Sequence, residues 1–189
     1  SLYGPVFDRL NFGKAIENKL ISDYRIIVAG VRQREIYNWI RDNRLLVDVD
    51  EGTEEFQTSA QNLFRQVMLT KSMHQYPIKK TITFHSTIAQ ARAFISSYGQ
   101  TELNLGKVFA LLWPELGKDD LYIDHINGSM GAGDRAEILD TFRDSKYGII
   151  SNSRCLTEGV DVPIIDSVYF VNPKPVSYTH LTLPTNREV

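Results

Sequence analysis

Hydrophobic positions along this chain follow two alternating periods. Phe12, Ala15, Ile16 and Leu20 recur at helical spacing, and a second short helix is expected at 34–41. Between them, residues 24–31 are apolar and β-branched, which predicts a buried strand. Residues 43–53 read as a connection. A long helix is expected over 54–76, with Phe56, Ala60, Leu63, Phe64, Val67 and Met68 on one face, stopped by Pro77. A strand follows at 80–85, then a helix at 87–98 opened by Ser86 or Thr87 as its cap. Residues 101–120 are ambiguous. Val108 to Trp113 are apolar enough to pack, whereas Pro114, Gly117, Asp119 and Asp120 suggest a loop-rich insertion. A strand at 121–126, a helix at 134–143 and strands at 147–151 and 167–171 complete the pattern, with Ile138, Leu139 and Phe142 assigned to the core. Strands alternating with helices predict an α/β fold, a parallel sheet flanked by helices with right-handed crossovers.

Composition narrows the functional classes only slightly. The 189 residues suit one α/β domain with flanking segments. A net charge of −2 gives no global basic field, so any nucleic-acid binding must come from a local patch. One cysteine, Cys155, excludes an intrachain disulfide and fits a reducing cytoplasm. No apolar run approaches the roughly 18–20 residues that span a bilayer, so no membrane partner is expected. His74, His85, His125 and His180 are scattered without metal-ligand spacing, and no metal site is expected. The first residue is Ser, and the chain reads as a piece of something longer.

Three stretches carry chemistry. Ser86 and Thr87 lie where a strand passes into a helix, where hydroxyls and free backbone N–H groups suit a phosphate oxygen; the plainer reading is a helix cap. Asn127, Gly128 and Ser129 form a turn, in which glycine lets the chain bend with its backbone exposed. Arg135 follows in the first turn of a helix, placed to reach phosphate or simply solvated. Beyond the strand at 147–151, Ser153 is followed by Glu158-Gly159-Val160-Asp161-Val162-Pro163. The glycine permits close backbone approach to a ligand, and Asp161 can accept hydrogen bonds from ribose hydroxyls.

In order and spacing, the stretch 126–173 resembles the second motor domain of superfamily 2 helicases and translocases. Gly128 and Arg135 match the family's glycine turn and downstream arginine. The loop 153–163 matches motif V, with Ser153 in the usual place of Thr and its hydroxyl kept. Residues 81–87 resemble motif IV. The opening, from Tyr3-Gly4-Pro5 through Arg9 to Phe12 and on to Asp23-Tyr24, is similar to the passage joining the two motor domains in helicase-associated and restriction-type translocases. The resemblance implies a RecA-like, P-loop-NTPase-like fold lacking its own Walker A loop. It implies ATP in an inter-domain cleft against Gly159 and Asp161, with Mg²⁺ held by the first motor domain. It also implies a nucleic-acid backbone, DNA before RNA, on Ser86, Thr87, Gly128, Arg135 and Ser153. The domain plan it suggests is a connecting segment at 1–23, the motor domain at 24–175, and a tail at 176–189. A competing reading is a non-catalytic α/β module that binds a nucleotide-sugar or a protein.

Two features depart from the family. The run Leu45 to Glu51 imitates a Walker B strand, yet no G-x-x-x-x-G-K-[ST] loop occurs to cradle phosphates, so it reads as a connecting loop. After Pro173 the family continues into a helix bearing the motif VI arginines. Here no Q-x-x-G-R occurs, and 176–189 resembles translated adapter sequence, expected to be foreign and loosely packed. Hence no catalytic residue is assigned, and residues 1–189 alone are expected not to hydrolyse ATP.

Overall fold

Prolines, caps and buried polar side chains divide the chain into its elements. The computed structural model describes residues 12–20, 23, 25–27, 34, 38, 41, 54–96, 104–153, 155 and 165–171. Two units are distinguished, residues 1–31 and 32–189.

In the first unit, helix α1 (Phe12–Glu17) ends on Lys19, which takes φ 58°. The amides of Lys19 and Leu20 return to the carbonyls of Ile16 and Ala15, at 2.8 and 2.9 Å. This left-handed stop satisfies two carbonyls that the helix end would otherwise orphan. The strand expected at 24–31 is not seen in its described residues. Arg25, Ile26 and Ile27 lie outside any strand, and the two isoleucines are 64% and 44% exposed. Strand propensity expresses how a side chain fits a half-buried pleated surface, and these two side chains are exposed.

In the second unit, Arg34, Asn38 and Arg41 are helical, as expected. Helix α2 (Glu54–Gln75) is followed by strand β1 (Lys80–Phe84), helix α3 (Ile88–Ile95) and helix α4 (Leu105–Leu112). A 3₁₀ turn (Lys118–Asp120) leads into β2 (Leu121–Asn127), α5 (Ala132–Asp144), β3 (Tyr147–Ser153) and β4 (Ser167–Phe170). The ambiguous stretch 101–120 thus holds a genuine helix, started by the Asn104 side chain, which accepts from the Lys107 amide at 2.9 Å. The four strands form one parallel sheet in the order β2-β3-β1-β4. Among the described residues no helix is long and apolar enough to cross a membrane.

Each face of the sheet has its own core. On one, Leu69 and Met73 of α2, Phe94 of α3, Leu105 and Phe109 of α4 and Ile149 of β3 pack together. On the other, Phe142 of α5 packs on Ile82, Ile126 and Ile150, with Ile138 and Leu139 only half-buried. Of the face expected for α2, Ala60, Leu63 and Val67 are buried. Phe64 and Met68 are half-buried, while Ser59, Gln66 and Thr70 are buried. Gln66 is buried because it serves a neighbouring helix: its Nε2 donates to the Phe94 carbonyl (2.6 Å), and Nδ2 of the half-buried Asn62 donates to that of Ala93 (3.0 Å). These are carbonyls of the last turn of α3, which lack helical partners. At the opposite end of β1, the Lys80 ammonium donates to the carbonyls of Phe142 and Ser145 and, at 2.6 Å, to Ser145 Oγ, closing the end of α5.

Candidate functional site

Parallel strands deliver their following loops to one rim of a sheet, and ligands of open α/β sheets bind beyond the strands' carboxyl ends. Four of the candidate residues sit along that rim. Ser86 and Thr87 follow β1, Ser153 ends β3, and Gly128 follows β2. Because β2, β3 and β1 are neighbours, these three exits stand side by side. Phe84 pairs with Asn152, and Asn127 with Ser153, so the strands end nearly level. Gly159 and Asp161 lie outside the described residues, as do residues 45–51 and the stretch 176–189.

Thr87 is the N-cap of α3, its Oγ1 accepting from the Gln90 amide at 3.2 Å. The capping role is therefore real, and it leaves the hydroxyl proton free to be donated elsewhere, since a threonine oxygen can accept and donate together. Ser86 and Gly128 are exposed. Arg135 is half-buried, and its guanidinium donates to Cys155 Sγ at 3.2 Å, tying α5 to the chain just beyond β3. Ser153 was expected in a polar loop. It is instead the last residue of β3, 1% exposed, and its Oγ makes no hydrogen bond among the described residues. Strand β3 runs two residues further than the expected 147–151, and its last three residues, Ser151, Asn152 and Ser153, are polar yet buried.

Those residues belong to a larger polar floor. Thr83, Ser151 and His125 are neighbours across β1, β3 and β2, and the next level holds Ser153 beside Asn127. His85 joins that level, its amide extending the pairing to the Asn152 carbonyl at 3.0 Å. All six are buried, and they face α3, since Ser151 Oγ donates to the Ala91 carbonyl (2.5 Å) and the His85 ring lies 5.0 Å from that of Phe94. His85 Nε2 is 2.8 Å from Thr83 Oγ1, and His125 is held by Ser151 and Asn127. Burial lowers the pKa of His85 to about 4, helped by His125 and Arg65. Burial likewise lowers that of His125, against the pull of the Ser151 carbonyl. Both imidazoles are thus neutral at pH 7, and the site gains no positive charge from them.

Taken singly along the sequence, the histidines give no sign of this floor. The signal was present in β2, where Ile123, His125 and Asn127 alternate onto one face and turn polar toward the strand's end. Among the described residues, no three His, Cys, Asp or Glu side chains come together in a way that would hold a metal.

No curated protein matches the chain. A family model does, and it agrees with the parallel sheet flanked by helices: the helicase conserved C-terminal domain matches residues 64–183, more than half of the chain, which therefore belongs to that family.

Proposed function

We propose that the chain supplies the second motor domain of an ATP-dependent superfamily 2 helicase or translocase of the helicase-associated, restriction-type kind. In this reading residues 1–23 connect it to the first motor domain, residues 24–175 form the RecA-like domain, and 176–189 are foreign to it. The protein works in the cytoplasm. A nucleic-acid backbone, DNA before RNA, lies along the rim. Ser86, Thr87 and the amides beside them donate to one phosphate. Gly128, with its exposed backbone, and the charge of Arg135 meet the next. Ser153 Oγ, buried and without a partner among the described residues, is a donor that a phosphate oxygen would satisfy, and an unsatisfied buried hydroxyl costs free energy until it is met. Gly159 and Asp161 face ATP across the inter-domain cleft, and Mg²⁺ is held by the first motor domain, which carries the phosphate-cradling loop this chain lacks.

The observation that supports this reading is the adjacency of three strand exits, which sets Thr87, Ser153 and Gly128 along one rim although they are far apart in sequence. The side-chain donors are few and the net charge is −2, so binding by residues 1–189 is weak, independent of base sequence and salt-dependent. Each phosphate neutralised by a cationic side chain adds about −0.7 to the slope of log affinity against log salt on a single strand, so Arg135 alone gives a slope of about −0.7. Fluorescence anisotropy of a labelled oligonucleotide at several salt concentrations measures that slope. Tight binding that ignores salt would overturn the reading.

A further inference from the structure

The polar floor contains one chain of hydrogen bonds whose direction is forced at both ends. His125 Nδ1 lies 3.0 Å from the Ser151 carbonyl oxygen, which can only accept, so Nδ1 carries the proton. Nε2 is then an acceptor, and Asn127 Nδ2 donates to it at 3.1 Å. This turns Asn127 Oδ1 toward the rim, where it accepts from the Ser129 amide (2.9 Å) and from Ser129 Oγ (2.5 Å). A backbone amide can only donate, so the outer end is fixed as well. His125 and Asn127 are 8% and 0% exposed, whereas Ser129 is exposed in the turn that carries Gly128.

We propose that His125, through Asn127, is a positioning residue that fixes the turn at Gly128 and Ser129 in the shape the nucleic-acid face requires. The proposal rests on the reading of that rim as a nucleic-acid face. His125 touches no ligand. It acts by holding the Asn127 amide in one of its two orientations, since a flipped amide would set Oδ1 against the lone pair of Nε2 and Nδ2 against the Ser129 amide. The turn then meets a phosphate already ordered, without losing conformational freedom on binding.

Two measurements on residues 1–189 test it. Imidazole nitrogen NMR shifts of the unmodified protein at neutral pH report the tautomer. A neutral Nδ1–H ring at His125 is expected, and an Nε2–H or charged ring overturns the proposal. The second measurement follows amide exchange at Ser129 and oligonucleotide affinity in Asn127→Ala, Ser129→Ala and the pair, with His125→Gln as a milder probe than His125→Phe should the latter not fold. Asn127→Ala and His125→Gln are each expected to speed exchange at Ser129 and weaken affinity about fivefold, the scale of one hydrogen bond. The pair of Asn127→Ala and Ser129→Ala is expected to weaken it no further than Asn127→Ala alone. Unchanged exchange at Ser129 in Asn127→Ala overturns the relay whatever the affinities. Faster exchange with unchanged affinity upholds the relay as a device that orders the turn, and overturns the assignment of that turn to nucleic acid.

Discussion

At Gly148 the backbone of β3 runs directly under the ring of Phe142. A β-carbon there would fall 2.5 Å from Cδ2 and 2.7 Å from Cε2 of that ring, which is fully buried and has nowhere to go. Gly148→Ala is therefore expected to destabilise by about 1–3 kcal/mol, the usual cost of forcing extra volume into a packed core. This outweighs the roughly 0.4–1 kcal/mol gained by stiffening the unfolded chain. Gly133 in α5 is the control: no atom lies within 4 Å of its β-carbon position, and Gly133→Ala is expected to stabilise. Urea denaturation of the two variants should move the midpoint in opposite directions. A second residue-scale expectation concerns acid. The folded-state pKa of His85, about 4, lies below the 6.5 of an unperturbed imidazole. Above pH 6.5 the ring is neutral in both states and its contribution is intact. As pH falls from 6.5 toward 4 the unfolded chain takes up a proton that the fold refuses, and up to about 3 kcal/mol is lost. The stability of His85→Asn, measured across that window, should be flatter than that of the parent protein. Parallel curves would show that His85 is not what sensitises the fold.

Among elements, the recurring device is a polar side chain lent by one element to the unsatisfied carbonyls ending another. Asn62 and Gln66 of α2 serve the last turn of α3, and Lys80 of β1 serves the last turn of α5. Burial pushes the Lys80 ammonium below its ordinary pKa while Asp166 and Asp144 pull it back, so the clamp is held against a desolvation cost. None of this is visible in a hydrophobic pattern, because the need for Gln66 arises on a helix more than twenty residues away. A pattern-based reading places Phe64 and Met68 on the core face and would treat Gln66 as a defect worth replacing with leucine. The structure predicts the reverse. Gln66→Leu removes the donor and leaves the Phe94 carbonyl buried and unpaired, a loss of about 1–3 kcal/mol that exceeds the gain from one more apolar side chain in an already filled site. Thermal unfolding should show the destabilisation, and amide exchange should show it concentrated in the last turn of α3. A more stable Gln66→Leu would refute the account of why polar residues line α2.

Over the whole molecule, the strands at 80, 121, 147 and 167 are legible as short runs rich in β-branched, aromatic and apolar residues set between helical patterns. Their order is not, since pairing β1 between β3 and β4 depends on contacts between distant segments. For the same reason Ser86, Thr87, Gly128 and Ser153 could be named one by one from sequence, but their gathering on one rim required the topology. The chemistry available to the chain follows from what this sheet carries. Phosphoryl transfer needs phosphates cradled, Mg²⁺ held, water positioned and developing charge neutralised by arginine. The sequence holds no G-x-x-x-x-G-K-[ST] loop, and no Q-x-x-G-R. Loss of an arginine finger alone costs about 10³–10⁵ in rate, and here the phosphate-cradling loop is missing too. Residues 1–189 are therefore expected to show no ATP hydrolysis above background, with or without an oligonucleotide, in a coupled assay at millimolar Mg²⁺. Asp50 and Glu51 are the carboxylates that most resemble a Mg²⁺ pair, so Asp50→Ala is the informative variant. Hydrolysis by the parent chain that disappears in Asp50→Ala would make that pair a working metal site and would assign the motor's chemistry to this half of it.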